Sequence, residues 1–133
     1  MPHLVILYTP NLEAETDMTA LCCALADTML QVRDEDGKQV FPTGGTRVLA
    51  YPAAHYAVAD GKADYAFVYL NIRMGKGRTD ATKKRAGDAL LTRTRSHFEP
   101  IFSTRHLGVT LQIDEGHEVF DGKYSNLHPL FNK

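Results

Sequence analysis

The sequence predicts an α+β domain, a four-stranded sheet carrying two helices on one face. Three observations lead there. The 133 residues suit one domain, 1–133, and a chain of that size buries roughly two-thirds of its unfolded surface. Four short runs are apolar or alternating, as strands are. Two longer stretches repeat apolar residues at helical spacing, and each lies between two of those strands, so the order is strand-helix-strand, twice.

The elements follow in turn. His3 to Tyr8 (HLVILY) is short and almost wholly apolar, which predicts a strand buried on both faces. Thr9-Pro10-Asn11 ends it. Met18, Leu21, Cys22, Leu25, Met29 and Val32 form one apolar helical stripe, with Asp17 or Asn11 as its cap. Arg33 to Gly45 is a polar, turn-rich loop. Thr46 to Tyr51 is a second strand, ended by Pro52. Asp60-Gly61-Lys62 marks a turn. Tyr65 to Ile72 is a third strand, with Ala66, Val68, Leu70 and Ile72 on one face and Tyr65, Phe67 and Tyr69 on the other. Gly75-Lys76-Gly77-Arg78 is a tight loop before a helix capped by Thr79 or Asp80. That helix turns Ala86, Leu90, Leu91, Phe98, Ile101 and Phe102 inward, and Pro100 is expected to kink or break it. Leu107, Val109, Leu111 and Ile113 alternate with polar residues in a fourth strand. Residues 117–133 are expected to form a C-terminal arm outside the core.

Each strand-helix-strand half favours parallel pairing within itself. Helices on one face leave the other bare, yet Tyr65, Phe67 and Tyr69 on that face are large and mostly apolar. Such a face usually meets a partner, so oligomerisation through it is expected.

Composition excludes several classes. The chain is 44% hydrophobic and 23% charged, with a net charge of −1. Without a basic excess it has no electrostatic footprint for nucleic acid or an anionic membrane surface. Its apolar stretches are too short to span a bilayer, and no secretory signal is visible. Cys22 and Cys23 are adjacent, so on a helix they point apart and form neither a metal pair nor a disulfide framework. They read as two small core residues in a reducing, cytoplasmic compartment. None of His3, His55, His97, His106, His117 and His128 has convincing metal spacing, and no metal is expected. Tyr8, Tyr51 and Phe41 are candidate pocket-lining residues.

Several segments, in order, carry a family resemblance. Met1-Pro2-His3 opens a strand, and Arg47 opens the second. Ala59-Asp60-Gly61 precedes Asp64-Tyr65-Ala66-Phe67-Val68, and Gly75-x-Gly77-Arg78 joins strand to helix. The tail ends Asn126-Leu127-His128-Pro129-Leu130-Phe131. Over almost its whole length the chain resembles the 5-carboxymethyl-2-hydroxymuconate isomerases of the tautomerase superfamily. The resemblance implies a β-α-β-β-α-β protomer with a mixed sheet, assembled as a homotrimer. It further implies an N-terminal proline as general acid/base, here Pro2, and arginines holding substrate carboxylates, here Arg47 and Arg78. No cofactor is implied. Three features depart from the pattern: the loop before Arg47 is several residues longer, Leu49 stands where a second arginine is expected, and Pro100 interrupts the second long helix.

The residue chemistry suits those roles. Removal of Met1 leaves Pro2 as a secondary amine, and an α-amino group titrates near ~8. Partial burial and nearby arginine charge lower that value, so a free amine is available near neutrality to take a proton and return it elsewhere. Arg78 follows a glycine at a helix start, where guanidinium and backbone N–H groups both favour an anion. Arg47 suits a second carboxylate or the 2-oxygen; read alone, it is an exposed strand-edge arginine. His3 points to the strand face opposite Pro2 and is assigned no catalytic role. Arg73 reads as a surface or interface residue.

The expected activity is ketonisation of a 2-hydroxymuconate-type dienol dicarboxylate to its conjugated 2-oxo isomer. Two other readings stand beside it. One is a different tautomerase-superfamily reaction, phenylpyruvate-type tautomerisation or hydration-dehalogenation. The other is a non-catalytic trimeric binding protein, which follows if Met1 is retained.

Overall fold

The computed structural model describes residues 2–116 and 118–131. The expected removal of Met1, and the parts of the arm at His117, Asn132 and Lys133, lie outside the described residues. Strands β1 (His3–Tyr8), β2 (Arg47–Pro52), β3 (Tyr65–Gly75) and β4 (His106–Gly116) form one sheet in the order β2-β1-β3-β4. β1 pairs parallel with β2 and antiparallel with β3, and β3 pairs parallel with β4. The sheet is therefore mixed, with each half internally parallel, as two crossover units require. Helices α1 (Met18–Gln31) and α2 (Asp80–Phe102) supply the crossovers, and a short α3 (His128–Phe131) sits in the arm.

One cluster of buried side chains joins the sheet to its helices. Leu4 and Ile6 of β1, Val68, Leu70 and Ile72 of β3, Leu21, Leu25 and Met29 of α1, and Ala86 and Leu90 of α2 are all buried in it. β1 is not buried on both faces as expected. Its inward residues are enclosed, but Leu7 keeps 45% of its surface exposed because no element covers the far face of the sheet.

The caps resolve in favour of Asp17 and Thr79. Asp17 accepts from Ala20 N at 3.1 Å, and the Thr79 hydroxyl accepts from Thr82 N at 3.1 Å. Asn11 instead crosses the chain, donating to the Tyr65 carbonyl at 2.8 Å.

α2 departs from expectation twice. It does not break at Pro100 but runs on to Phe102, since a proline so near the C-terminus removes one bond from a helix about to end. Its buried stripe is Thr82, Ala86, Leu90, Thr94 and Phe98, a strict four-residue step. Leu91 falls off that line and is exposed, and Phe102, the next position on it, is exposed as the last residue of the helix. The cysteine expectation fails in part too: Cys23 is exposed, while Cys22 packs half-buried on the core.

Candidate active site

The strand directions place all three sequence-derived site residues at one end of the sheet. β1 and β2 begin there, and β3 and β4 end there. Pro2 immediately precedes β1 and is buried. By strand alternation it shares the helix-covered face with Leu4. Arg47 is the first residue of β2. Arg78 lies three positions beyond the end of β3, past Gly77, whose φ of +118° suits glycine.

Register adds residues the sequence reading passed over. His3 is paired with Arg47 on one side and Arg73 on the other. Directly paired residues project from the same face, so Arg47, His3 and Arg73 form a basic row across three strands on the open face. Arg47 and Pro2 thus share a sheet end but start from opposite faces. Arg73, read from the sequence as a surface or interface residue, is exposed and lines the same cleft as Arg47. Its even spacing from Tyr65, Phe67 and Tyr69 gave its face, but only the β1–β3 register gave its neighbours.

Arg47 and Arg78 are each fixed by backbone oxygens. The half-buried Arg47 donates through Nη1 to the carbonyls of Gly44 (2.7 Å) and Thr46 (3.3 Å). Arg78, also half-buried, donates through Nη2 to the Val40 carbonyl (3.0 Å) and through Nη1 to that of Gly75 (3.3 Å). Arg73 lies against the end of β4, where a Cβ at Gly116 would come within 2.4 Å of its Nε. Five N–H donors per guanidinium leave each arginine spare capacity for a carboxylate.

The arm overhangs one end of the open face. A cleft of about 570 Å³ is lined by His3, Arg47 and Arg73 below, and by arm residues including Glu118, Asp121, Lys123 and Tyr124 above. The His3 imidazole is held below its ordinary pKa, by desolvation first and then by neighbouring positive charge that includes Arg47. It is therefore neutral at pH 7, a hydrogen-bonding group and not a third cation.

The aromatic candidates separate. Phe41 is fully buried in the core, and Tyr51 is exposed on the open face. Tyr8 lines a different cavity, of about 510 Å³, with Glu13 and Asp17, at the opposite end of β1. Among the described residues, no group of three or more His, Cys, Asp or Glu side chains is placed to hold a metal ion. Likewise no helix there is long and apolar enough to cross a membrane.

Comparison with known proteins bears on this arrangement. A family model described as 5-carboxymethyl-2-hydroxymuconate isomerase matches residues 2–131. The chain is 28% identical over 131 residues to a 5-carboxymethyl-2-hydroxymuconate Delta-isomerase from Escherichia coli, covering 98% of this chain and 99% of that protein. A crystal structure of a 5-carboxymethyl-2-hydroxymuconate delta-isomerase superimposes with a TM-score of 0.96 at 55% identity, covering 100% of this chain and 94% of its own. A 5-carboxymethyl-2-hydroxymuconate isomerase from Deinococcus radiodurans R1 superimposes with a TM-score of 0.87 at 36% identity, covering 99% and 95%. With its mixed sheet and its strand-start proline, the chain belongs to the 5-carboxymethyl-2-hydroxymuconate isomerase family.

Proposed function

We propose that this protein is an isomerase that ketonises 5-carboxymethyl-2-hydroxymuconate, a 2-hydroxymuconate-type dienol with a third carboxylate on its carboxymethyl arm, to its conjugated 2-oxo isomer, with Pro2 as general acid/base. The observation that carries the reading is the buried position of Pro2 at the same sheet end as Arg47 and Arg78. With Met1 removed, the secondary amine of Pro2 accepts the proton of the 2-hydroxyl. Electron density moves along the conjugated system, and the resulting ammonium returns a proton to a carbon further along it. One proton leaves oxygen and one arrives at carbon, so no redox partner enters. Arg47 and Arg78 hold the carboxylates and stabilise negative charge developing on the 2-oxygen. Burial of Pro2, at the sheet end that also carries these cations, disfavours its ammonium form and so makes it available as a base near neutrality.

The working unit under this reading is a cytoplasmic homotrimer, each protomer one domain (1–133) with an arm. Supporting that assembly, Leu7, Leu49 and Tyr51 remain 45%, 44% and 43% exposed on the uncovered sheet face. Leu49, standing where a second arginine is expected, adds apolar surface to that face.

The test is kinetic. Mature protein, shown by intact mass to have lost Met1, is assayed for ketonisation beside Pro2→Ala. Undiminished turnover by Pro2→Ala defeats the assignment.

A further inference from the structure

We propose that Glu35 is a positioning residue for the isomerisation: it latches residues 33–41 onto the first turn of α2, and so sets the Val40 carbonyl where it orients Arg78. The inference rests on the reading of Arg78 as a carboxylate-binding group.

The turn from Arg33 to Gln39 fixes its own shape but not its place. The Asp34 carboxylate accepts from the backbone N–H groups of Asp36 and Lys38, both at 2.9 Å, and Asp34 N donates to the Lys38 carbonyl at 2.9 Å. Arg33 and Gln39 form an antiparallel bridge around this turn. Those bonds would survive if the whole turn swung away from the protein.

Bonds to α2 and the residues just before it hold the turn down. One Glu35 carboxylate oxygen accepts from the hydroxyls of both Thr79 and Thr82, the latter at 2.8 Å. Arg85 donates to the Arg33 carbonyl at 2.8 Å, and Arg78 donates to the Val40 carbonyl at 3.0 Å. Thr79 is the cap of α2 and Thr82 is only 1% exposed, so the latch grips a rigid turn. A carboxylate there also meets the positive end of the helix dipole. Both hydroxyls and the residue's own backbone N–H hold the Glu35 carboxyl below the usual carboxylate range, so the latch stays charged at neutral pH.

Arg78 needs such an outside reference. It follows Gly75 and Gly77, so its own segment is permissive. Without Val40, the guanidinium keeps only the 3.3 Å bond to Gly75. Past Val40 the chain is anchored by Phe41, which is fully buried. Val40 is itself buried, and its amide donates to the Val32 carbonyl, so the core holds that peptide while Glu35 steadies the turn leading into it.

The experiment compares Glu35→Ala, Glu35→Gln, Arg78→Ala and the double variant Glu35→Ala/Arg78→Ala in ketonisation of 5-carboxymethyl-2-hydroxymuconate. Hydrogen exchange is followed at the Val40 amide, which donates to the Val32 carbonyl. In Glu35→Ala, KM is expected to rise about three- to tenfold with kcat within about twofold, because an ill-placed arginine binds less well. Glu35→Gln, which keeps an acceptor oxygen, should recover most of that loss. The double variant should be no worse than Arg78→Ala, since both changes remove one function. Unchanged Val40 exchange in Glu35→Ala, or full additivity in the double variant, overturns the latch. An unchanged KM in Arg78→Ala defeats the carboxylate-binding reading itself, and the positioning role with it, even where Val40 exchange is faster.

Discussion

Gly44 and His128 meet backbone to backbone: a Cβ on Gly44 would lie 2.9 Å from the His128 Cα. This contact docks α3 on the Thr43–Gly45 turn. The same Gly44 gives its carbonyl to Arg47, so arm docking and Arg47 placement share one residue. The Ala side chain has no flexible partner to push aside, so Gly44→Ala should lift the arm. Hydrogen exchange at the Leu130 amide, which donates to the Leu127 carbonyl, should speed up, and exchange in β1 should not. Equal protection of Leu130 in both proteins would refute the docking role.

Arg47 and Arg78 carry separable predictions. Each is proposed to grip a carboxylate by charge-assisted hydrogen bonds, a type of contact worth about 1.5–3 kcal/mol. Either alanine variant should therefore raise KM about ten- to hundredfold. Lysine should restore less at a bidentate site, because an ammonium cannot present a fork of donors. Steady-state kinetics on Arg47→Ala, Arg47→Lys, Arg78→Ala and Arg78→Lys decide it. Full rescue by lysine at either position would reduce that arginine to a point charge.

How far the sequence reaches is clear at particular residues. The helical stripe from Met18 to Met29 and the alternation from Ala66 to Ile72 stand in the structure as the periodicities require, because local spacing determines which face is buried. Leu91 fails because a periodicity read loosely admits the neighbours of a stripe, while the helix turns Leu90 into the core and leaves Leu91 beside it exposed. Arg73 lies at the surface as read, but its place in the cleft is not legible, for a different reason. Its neighbours His3 and Arg47 are set by cross-strand register, which joins residues far apart in sequence. The Glu35 latch to Thr79 and Thr82 spans 44 and 47 positions, and no local pattern announces it.

Pro2→Ala tests the base directly. The substitution removes the ring amine but leaves a primary amine at the same place, so the loss measures basicity and direction, not mere presence of nitrogen. A positioned acid/base contributes about 10²–10⁴-fold, and kcat should fall toward that range with KM little changed. Protein that retains Met1 carries an acylated Pro2 nitrogen and should be similarly inactive. Comparing turnover with the fraction of Met1-free chains by intact mass should give a line through the origin. Appreciable activity at zero Met1-free fraction would exclude the Pro2 amine as the base.

Tyr8 predicts the alkaline limit of stability. Its phenol is pushed up to about 12, by burial first and then by its hydrogen bond to Glu13 and that residue's charge. The bond itself is 2.5 Å, Tyr8 Oη donating to Glu13 Oε1. An unfolded tyrosine titrates near about 10, so between those values the folded state binds the proton more strongly than the unfolded one. The stabilisation is complete below pH ~10 and is lost progressively as pH rises through the folded-state value. Urea unfolding midpoints should decline over that window, and Tyr8→Phe, which cannot ionise, should flatten the decline. The same variant should lack the late component of the tyrosinate absorbance titration. If that component persists in Tyr8→Phe, another tyrosine carries it, and Tyr8 does not set the alkaline limit.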